Sequence, residues 1–209
     1  MKAILMSIQS QHLFNILTGN KTLELRKSVP KDFKGWVYVY CTKAKPYLLY
    51  EEDWIGGNYV PHRWTFLHNY PKKEAYEIWG SAYENEETYV GIINGLVVAR
   101  FWYDESEKVD FSNLKRFRVI KAQAYINNIQ FIFDYAKGKD IYAWHIKKLE
   151  IFDKPMELSG FYKNINSVIE YPICSKLYVT REKIKECEKQ FQVAKAPQSW
   201  QYVYVKENL

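Results

Sequence analysis

Strict alternation of apolar and polar residues over short stretches is the pattern that most constrains this chain. It is clearest in Thr22 to Arg26, where Leu23 and Leu25 fall on one side and the polar residues on the other. A period of two residues predicts a half-buried strand with two unlike faces. Further strands are predicted at 2–8, 35–42, 89–93, 95–103, 114–120, 141–152 and 198–205.

Helical spacing of apolar residues is confined to three places. It predicts a short helix capped by Ser10, a second helix over 124–136 and a third over 181–191, with Gly19 and Gly138 ending the first two. Short strands with few helices and no βαβ rhythm favour an α+β domain on a curled, mostly antiparallel sheet. The 209 residues are enough for one such domain, residues 1–209.

Residues 44–86 interrupt the alternating pattern. They contain three prolines, three glycines, many aromatic residues and several acidic ones. We expect a long, mostly irregular insertion within the single domain, with room for short helices. Long loops of this kind often act as lids or binding loops.

Several classes of protein find no support in the sequence. No run of about 18 apolar residues predicts a membrane span, and the apolar start is too short for a signal peptide. Three widely separated cysteines indicate a reducing, cytoplasmic setting. The motifs of phosphate-binding loops, zinc proteases and α/β-hydrolases do not occur, and the four histidines are scattered. We therefore predict no metal, no cofactor and no membrane partner.

Charge and aromatic content point towards nucleic acid. The net charge is +6, with +5 in residues 21–45, −7 in residues 51–110 and +7 in residues 113–209. Aromatic residues make up 17% of the chain. Basic residues interleaved with aromatic ones suit unpaired bases, because every base has a face that can stack. The alternative is a tyrosine-rich β core under a solvated lysine surface.

The stretch from Gly19 to Lys27 is the main candidate site. A helix ends at the glycine, Lys21 lies on the turn, and Glu24 and Arg26 share a strand face. Such a cluster can hold a phosphate or a base edge. The candidate ligand-binding residues here are Lys21, Thr22, Glu24, Arg26 and Lys27. The alternative is a surface ion pair worth roughly 0–1 kcal/mol.

Two later stretches supply further candidates. Trp144 and His145 fall on opposite faces of one predicted strand, so Trp144 is a candidate stacking face and His145 a candidate polar or acid–base group. Gln198 and Trp200 share a face of the last strand, where they could hydrogen-bond and stack on a base. Core packing of either tryptophan and a structural hydrogen bond from His145 remain the alternatives.

The opening order of strand, helix, GxKxxExR and strand resembles the ASCH domain, a member of the PUA-like superfamily. Segments 95–101, 142–146, 152–155 and 197–200 resemble the longer phage- or prophage-type members. The resemblance does not extend over 44–86. It implies a small β-barrel flanked by helices, with a cleft that binds RNA or modified nucleosides.

The resemblance also bears on activity. Some ASCH proteins are amidohydrolases that remove the acetyl group of acetylcytidine, and another is linked to RNA cleavage. Lys21 and Thr22 match the amidohydrolase GxKT segment, but Glu24 stands where those enzymes have a threonine nucleophile. RNA or modified-nucleotide binding is therefore the expected function. The alternatives are an amidohydrolase or ribonuclease that uses Lys21, Glu24 or His145, and a phage module that binds a host protein through 44–86.

Overall fold

A computed structural model describes residues 1–55, 58–67, 89–163 and 191–205. These residues form twelve strands and three helices. The strands are β1 (Lys2–Ile8), β2 (Leu23–Arg26), β3 (Gly35–Cys41), β4 (Tyr47–Ile55), β5 (Asn58–Leu67), β6 (Tyr89–Ile92), β7 (Val97–Tyr103), β8 (Ser106–Lys108), β9 (Tyr142–His145), β10 (Lys147–Met156), β11 (Phe161–Tyr162) and β12 (Trp200–Val205). The helices are α1 (Ser10–Leu17), α2 (Leu114–Gln123) and α3 (Gln130–Ala136). The fold class is α+β, as expected.

The described strands form three separate sheets. The largest has the order β10-β7-β3-β1-β12-β11, the second β2-β9-β8 and the third β5-β4-β6. Pairing is antiparallel except between β1 and β3, which run parallel. The described residues thus have the mostly antiparallel pairing that was predicted, but not a closed barrel. Among the described residues, three sheets are found in place of the expected barrel.

The six-stranded sheet is buried on both faces. Ile4 and Met6 of β1 pack into one hydrophobic cluster, whereas Ala3 and Leu5 pack into another on the opposite side. A strand covered on both faces needs apolar residues at successive positions. This explains why β1 alternates only weakly in sequence.

The expectation of a mostly irregular insertion at 44–86 is wrong for its first half. Tyr47–Ile55 and Asn58–Leu67 pair antiparallel, and Tyr89–Ile92 adds the third strand of their sheet. Pro61 lies in β5, at the edge of this sheet, where a missing N–H is tolerated. The glycine pair at 56–57 between the two strands was the sequence signal of a hairpin. Residues 68–88 lie outside the described residues.

In the second half of the chain, several observed helices and strands differ from those predicted from the sequence. Residues 114–120 belong to a helix, because Phe117, Ile120 and Ala124 recur at helical spacing and Asn113 caps the first turn. The helix predicted over 124–136 begins only at Gln130. The strand predicted over 141–152 is divided between two sheets. The helix predicted over 181–191 lies almost entirely outside the described residues.

Helix α1 begins one residue earlier than its predicted cap implies. Gln9 is the cap, and Ser10 is the first helical residue, with its hydroxyl donating a 2.6 Å hydrogen bond to the carbonyl of Pro46. Gly19 ends the helix at φ 76°, in the left-handed region that favours glycine. The turn that follows delivers the chain to β2. None of the helices among the described residues is long and apolar enough to cross a lipid bilayer.

Candidate functional site

Strand β2 has the two faces predicted from its alternation, but both faces are buried. Leu23 and Leu25 pack against α2 and α3. Glu24 lies directly opposite the buried Trp144 of β9, and Arg26 lies opposite Tyr142, on the side of the main core. The polar face of this strand is therefore enclosed by the fold instead of forming a surface.

Lys21, Glu24 and Arg26 form a buried ion triad. Lys21 Nζ lies 3.1 Å from Glu24 Oε2, and Arg26 Nη2 lies 3.0 Å from Glu24 Oε1. The three residues are 4%, 6% and 7% exposed. The alternative of a solvated surface ion pair is therefore wrong, because the six-stranded sheet and the helices cover both sides of β2.

The outer contacts of the triad tie β2 to three other parts of the fold. Lys21 Nζ donates a 3.2 Å hydrogen bond to the carbonyl of Ala124, at the end of α2. Arg26 Nη2 donates to the carbonyl of Ser7 in β1 at 2.8 Å, and Arg26 Nη1 donates to Ser199 Oγ just before β12 at 3.2 Å. The triad lies where β1, β2, β12 and α2 meet.

The pKa of Glu24 is shifted by its neighbours, and some polar atoms at the triad lack a hydrogen-bond partner among the described residues. Burial by itself raises the pKa of the Glu24 carboxyl, but the Lys21 and Arg26 cations outweigh it, so the pKa lies below its usual value. The carboxylate form is therefore stabilised. Ser7 Oγ, Glu24 Oε2 and Arg26 Nε are buried and have no hydrogen-bond partner among the described residues. Glu24 Oε2 is nevertheless paired with the Lys21 ammonium at 3.1 Å.

Two residues that sequence reasoning missed lie close to the triad. Desolvation by the surrounding protein, followed by the positive charge of Lys21, lowers the pKa of His12 on α1. A substantial part of the His12 surface still faces solvent. Burial raises the pKa of the Tyr135 hydroxyl on α3, and Arg26 and Glu24 both act on it electrostatically. The helical pattern of α1 could have indicated His12, since this helix leads directly to Lys21. Nothing in the sequence pointed to Tyr135.

The two candidate tryptophans have different surroundings. Trp144 is fully buried, donates from Nε1 to the carbonyl of Ser28 at 3.2 Å and packs against Tyr103 and Trp200. It presents no face to a ligand, so the core-packing alternative is correct. Trp200 is only partly buried and donates from Nε1 to Ser28 Oγ at 3.1 Å. It directly follows Ser199, the partner of Arg26.

The remaining candidates do not all reach the triad. His145 lies opposite Leu23, on the helix-facing side of β9, and its Nε2 is 3.4 Å from Glu107 Oε1. The fold therefore separates His145 from Glu24. Thr22 is exposed just before β2, and Gln198 is exposed beside Ser199. Lys27 follows the strand and lies over the ring of Tyr135.

The chemistry available at the triad is recognition by charge and hydrogen bonds. Lys21 Nζ is already in contact with the Glu24 carboxylate at 3.1 Å and with the Ala124 carbonyl at 3.2 Å. Two cations against one carboxylate leave a net positive charge that suits an anion or a hydrogen-bond acceptor. Among the described residues, no group of histidine, cysteine and carboxylate side chains could hold a metal ion.

Comparison with known proteins yields structural similarity only. No family model matches the chain. No curated protein matches it significantly. The fold is similar to that of an ASCH protein of Zymomonas mobilis, with a TM-score of 0.49 and 13% identity over 97% of this chain and 87% of that one. Two single-residue variants of the same protein give TM-scores of 0.48 and 0.47 at 14% and 13% identity, covering 98% and 97% of this chain and 91% and 88% of theirs. Values this low assign no role to any residue here.

Proposed function

We propose that this chain binds a nucleotide of RNA, including nucleotides with modified bases, at the buried ion triad. Arg26 and Lys21 would meet acceptor atoms of the ligand, and Glu24 would meet a donor such as an exocyclic amine. Trp200, partly buried beside Ser199, would contribute a stacking face. The GxKxxExR resemblance of the same segment to ASCH domains agrees with this assignment.

The observation that carries the proposal is a pair of unpartnered polar atoms at the triad. Arg26 Nε is a buried donor and Ser7 Oγ a buried hydroxyl oxygen, each without a hydrogen-bond partner among the described residues, whereas Glu24 Oε2 lies 3.1 Å from Lys21 Nζ. An unsatisfied buried polar group costs about 1–3 kcal/mol, and charged groups cost more. A base edge carries donors and acceptors side by side and can satisfy both atoms. Stability alone does not account for the triad, because buried ion pairs are often no more stable than apolar replacements.

Binding is favoured over hydrolysis by the contacts of Lys21. Its Nζ lies between the Glu24 carboxylate and the Ala124 carbonyl and contacts both of them. Of the candidate bases named from the sequence, His145 lies on the other side of β9. The proposed role of the triad is therefore to recognise a ligand.

The proposal is tested by titrating the full chain at low salt with the four ribonucleoside 5′-monophosphates and with acetylcytidine. Tryptophan fluorescence reports binding, because Trp200 adjoins the site. We expect at least one of these compounds to bind. Arg26→Lys keeps the charge but loses the planar fork of donors, so it should weaken binding about tenfold. Lys154→Gln, an exposed cation on β10, is the matched control and should bind as wild type does.

Thermal unfolding of each variant separates a loss of binding from a loss of folding. Absence of binding to every compound, or equal affinity in wild type and Arg26→Lys, would contradict the proposed site. Mass spectrometry of the acetylcytidine samples also tests the assignment, since deacetylation by the wild type would mean that the triad is catalytic.

A further inference from the structure

Exposed aromatic side chains are concentrated on α3 and on the turn before it. Phe131 is 69% exposed, Tyr125 47% and Tyr135 39%. Side chains this large are usually found buried, so an exposed group of them indicates an interaction surface. Phe131 and Tyr135 are four residues apart and therefore share one side of the helix.

These aromatic residues lie beside both ends of β2. Lys27, the residue after the strand, places its Nζ 4.8 Å from the centre of the Tyr135 ring. Tyr125 directly follows Ala124, whose carbonyl accepts a hydrogen bond from Lys21 just before the strand. Five residues, four of them in β2, separate Lys21 from Lys27, a span of roughly 20 Å. Tyr125 and Tyr135 thus each adjoin a residue next to the triad, at opposite ends of β2.

The charge of the surroundings suits a polyanion. Helix α2 carries four basic residues, of which Arg116 is paired with Glu107 of β8, and no acidic one. Lys121 lies in its last turn, four residues before Tyr125. Lys27 supplies a cation at the other end. The acidic residue of α3, Asp134, accepts a 2.9 Å hydrogen bond from Gln130. Alternating cations and aromatic faces bind single-stranded nucleic acid, in which phosphates and base faces alternate.

We propose that Lys27, Tyr125, Phe131 and Tyr135 form a docking strip for the nucleotides that flank the one in the triad. The ligand is then a segment of single-stranded RNA and not a free nucleotide. Flanking bases stack on the three aromatic rings, while Lys27 contacts the phosphate between them. This inference rests on the proposed function, because it extends binding outward from the same site.

The test compares a fluorescein-labelled single-stranded RNA octamer of mixed sequence with the 5′-monophosphates, using the full chain at low salt. The octamer should bind at least tenfold more tightly than any monophosphate. Phe131→Ala and Tyr135→Ala should each weaken octamer binding about tenfold, the effect of losing one stacked base. Phe131→Ala should keep wild-type affinity for the monophosphates.

Phe133→Ala is the matched control. Phe133 is on the same helix and is 45% exposed, but it lies two residues away from Phe131 and Tyr135 and packs against Phe111 on the other side. It should bind the octamer as wild type does, and thermal unfolding of all three variants checks that each is folded.

Each outcome separates the docking strip from the triad. If octamer and monophosphate bind equally, or if Phe131→Ala and Tyr135→Ala keep full octamer affinity, the docking strip is overturned while the triad stands. If the octamer loses affinity in Phe131→Ala but not in Arg26→Lys, the strip stands and the triad assignment fails. If a poly-glutamate peptide displaces the labelled octamer as well as unlabelled RNA does, the surface recognises negative charge alone. That result would overturn base stacking on the docking strip.

Discussion

At the scale of single residues, Glu24 is the carboxylate that links the two cations of the buried triad. Its carboxylate neutralises one of two cations that are themselves almost fully buried. Burial disfavours the charged form, and the two cations restore it, so the pKa of Glu24 falls below its usual value. Removing the carboxylate would leave Lys21 and Arg26 facing each other without compensation.

Glu24→Ala should therefore lower the free energy of unfolding by about 3–5 kcal/mol. If the carboxylate were exposed to solvent, its removal would change the free energy of unfolding by only about 0.5 kcal/mol. Urea unfolding at neutral pH measures the difference. Replacing all three members together, as Lys21→Met, Glu24→Leu and Arg26→Met, removes the imbalance and should recover most of the loss. A change below about 1 kcal/mol in Glu24→Ala would contradict the buried triad.

At the scale of elements, the join between α1 and β2 places the triad. Gly19 ends the helix in a left-handed conformation, with its N–H donating to the carbonyl of Ile16 at 3.0 Å. Two residues later the N–H of Lys21 donates to the carbonyl of Asn15 at 2.8 Å. These bonds turn the chain sharply, so that Lys21 reaches Glu24 three positions further along. The turn is a structural part of the site.

Gly19→Ala tests this join. A Cβ at Gly19 would meet no atom within 4 Å, so any loss comes from the positive φ of 76° and not from a clash. We expect the free energy of unfolding to fall by about 1 kcal/mol, with a matching weakening of ligand binding if Lys21 shifts. Gly19→Asn is the control, since asparagine tolerates this conformation and should lose less. Equal stability in Gly19→Ala and wild type would rule out the conformational requirement.

At the scale of the whole molecule, the uneven charge of the sequence follows the division into sheets. The acidic stretch 51–110 supplies most of the third sheet and strands β7 and β8. Strand β2 comes from the basic stretch 21–45, and helices α2 and α3 from the basic stretch 113–209. Among these elements the positive charge is concentrated on α2, which has four basic residues and no acidic one, whereas β2 is neutral and α3 carries only Asp134.

Single-stranded RNA should consequently bind with a measurable salt dependence. Each neutralised phosphate contributes about −0.7 to the slope of log affinity against log salt. Because Lys21 and Arg26 are buried, we expect only one to three phosphate contacts, from Lys27 and neighbouring lysines, and a slope of about −1 to −2. Titration between low and moderate salt measures it. A slope of zero would exclude phosphate contacts, and a much steeper one would indicate a different, more exposed surface.

The residues of β2 show how far the sequence determines the site. Alternation alone placed Leu23 and Leu25 on one side and Glu24 and Arg26 on the other, because side chains of a strand point to opposite faces whatever surrounds them. Gly19 as the end of α1 was likewise predictable, since the left-handed turn favours glycine for local steric reasons. These features depend on neighbours within a few residues, and the sequence contains them in full.

Burial of the triad was decided only by the tertiary structure. Whether the polar face of β2 meets water or another layer depends on Ser7, Ser199 and Ala124, which are distant in sequence and carry no periodic signal. The same holds for residues 114–120, where packing of Phe117 and Ile120 beneath β2 selects a helix over a strand. Local pattern determined which side chains share a face. Long-range packing determined which face is covered, because burial is a property of what lies opposite.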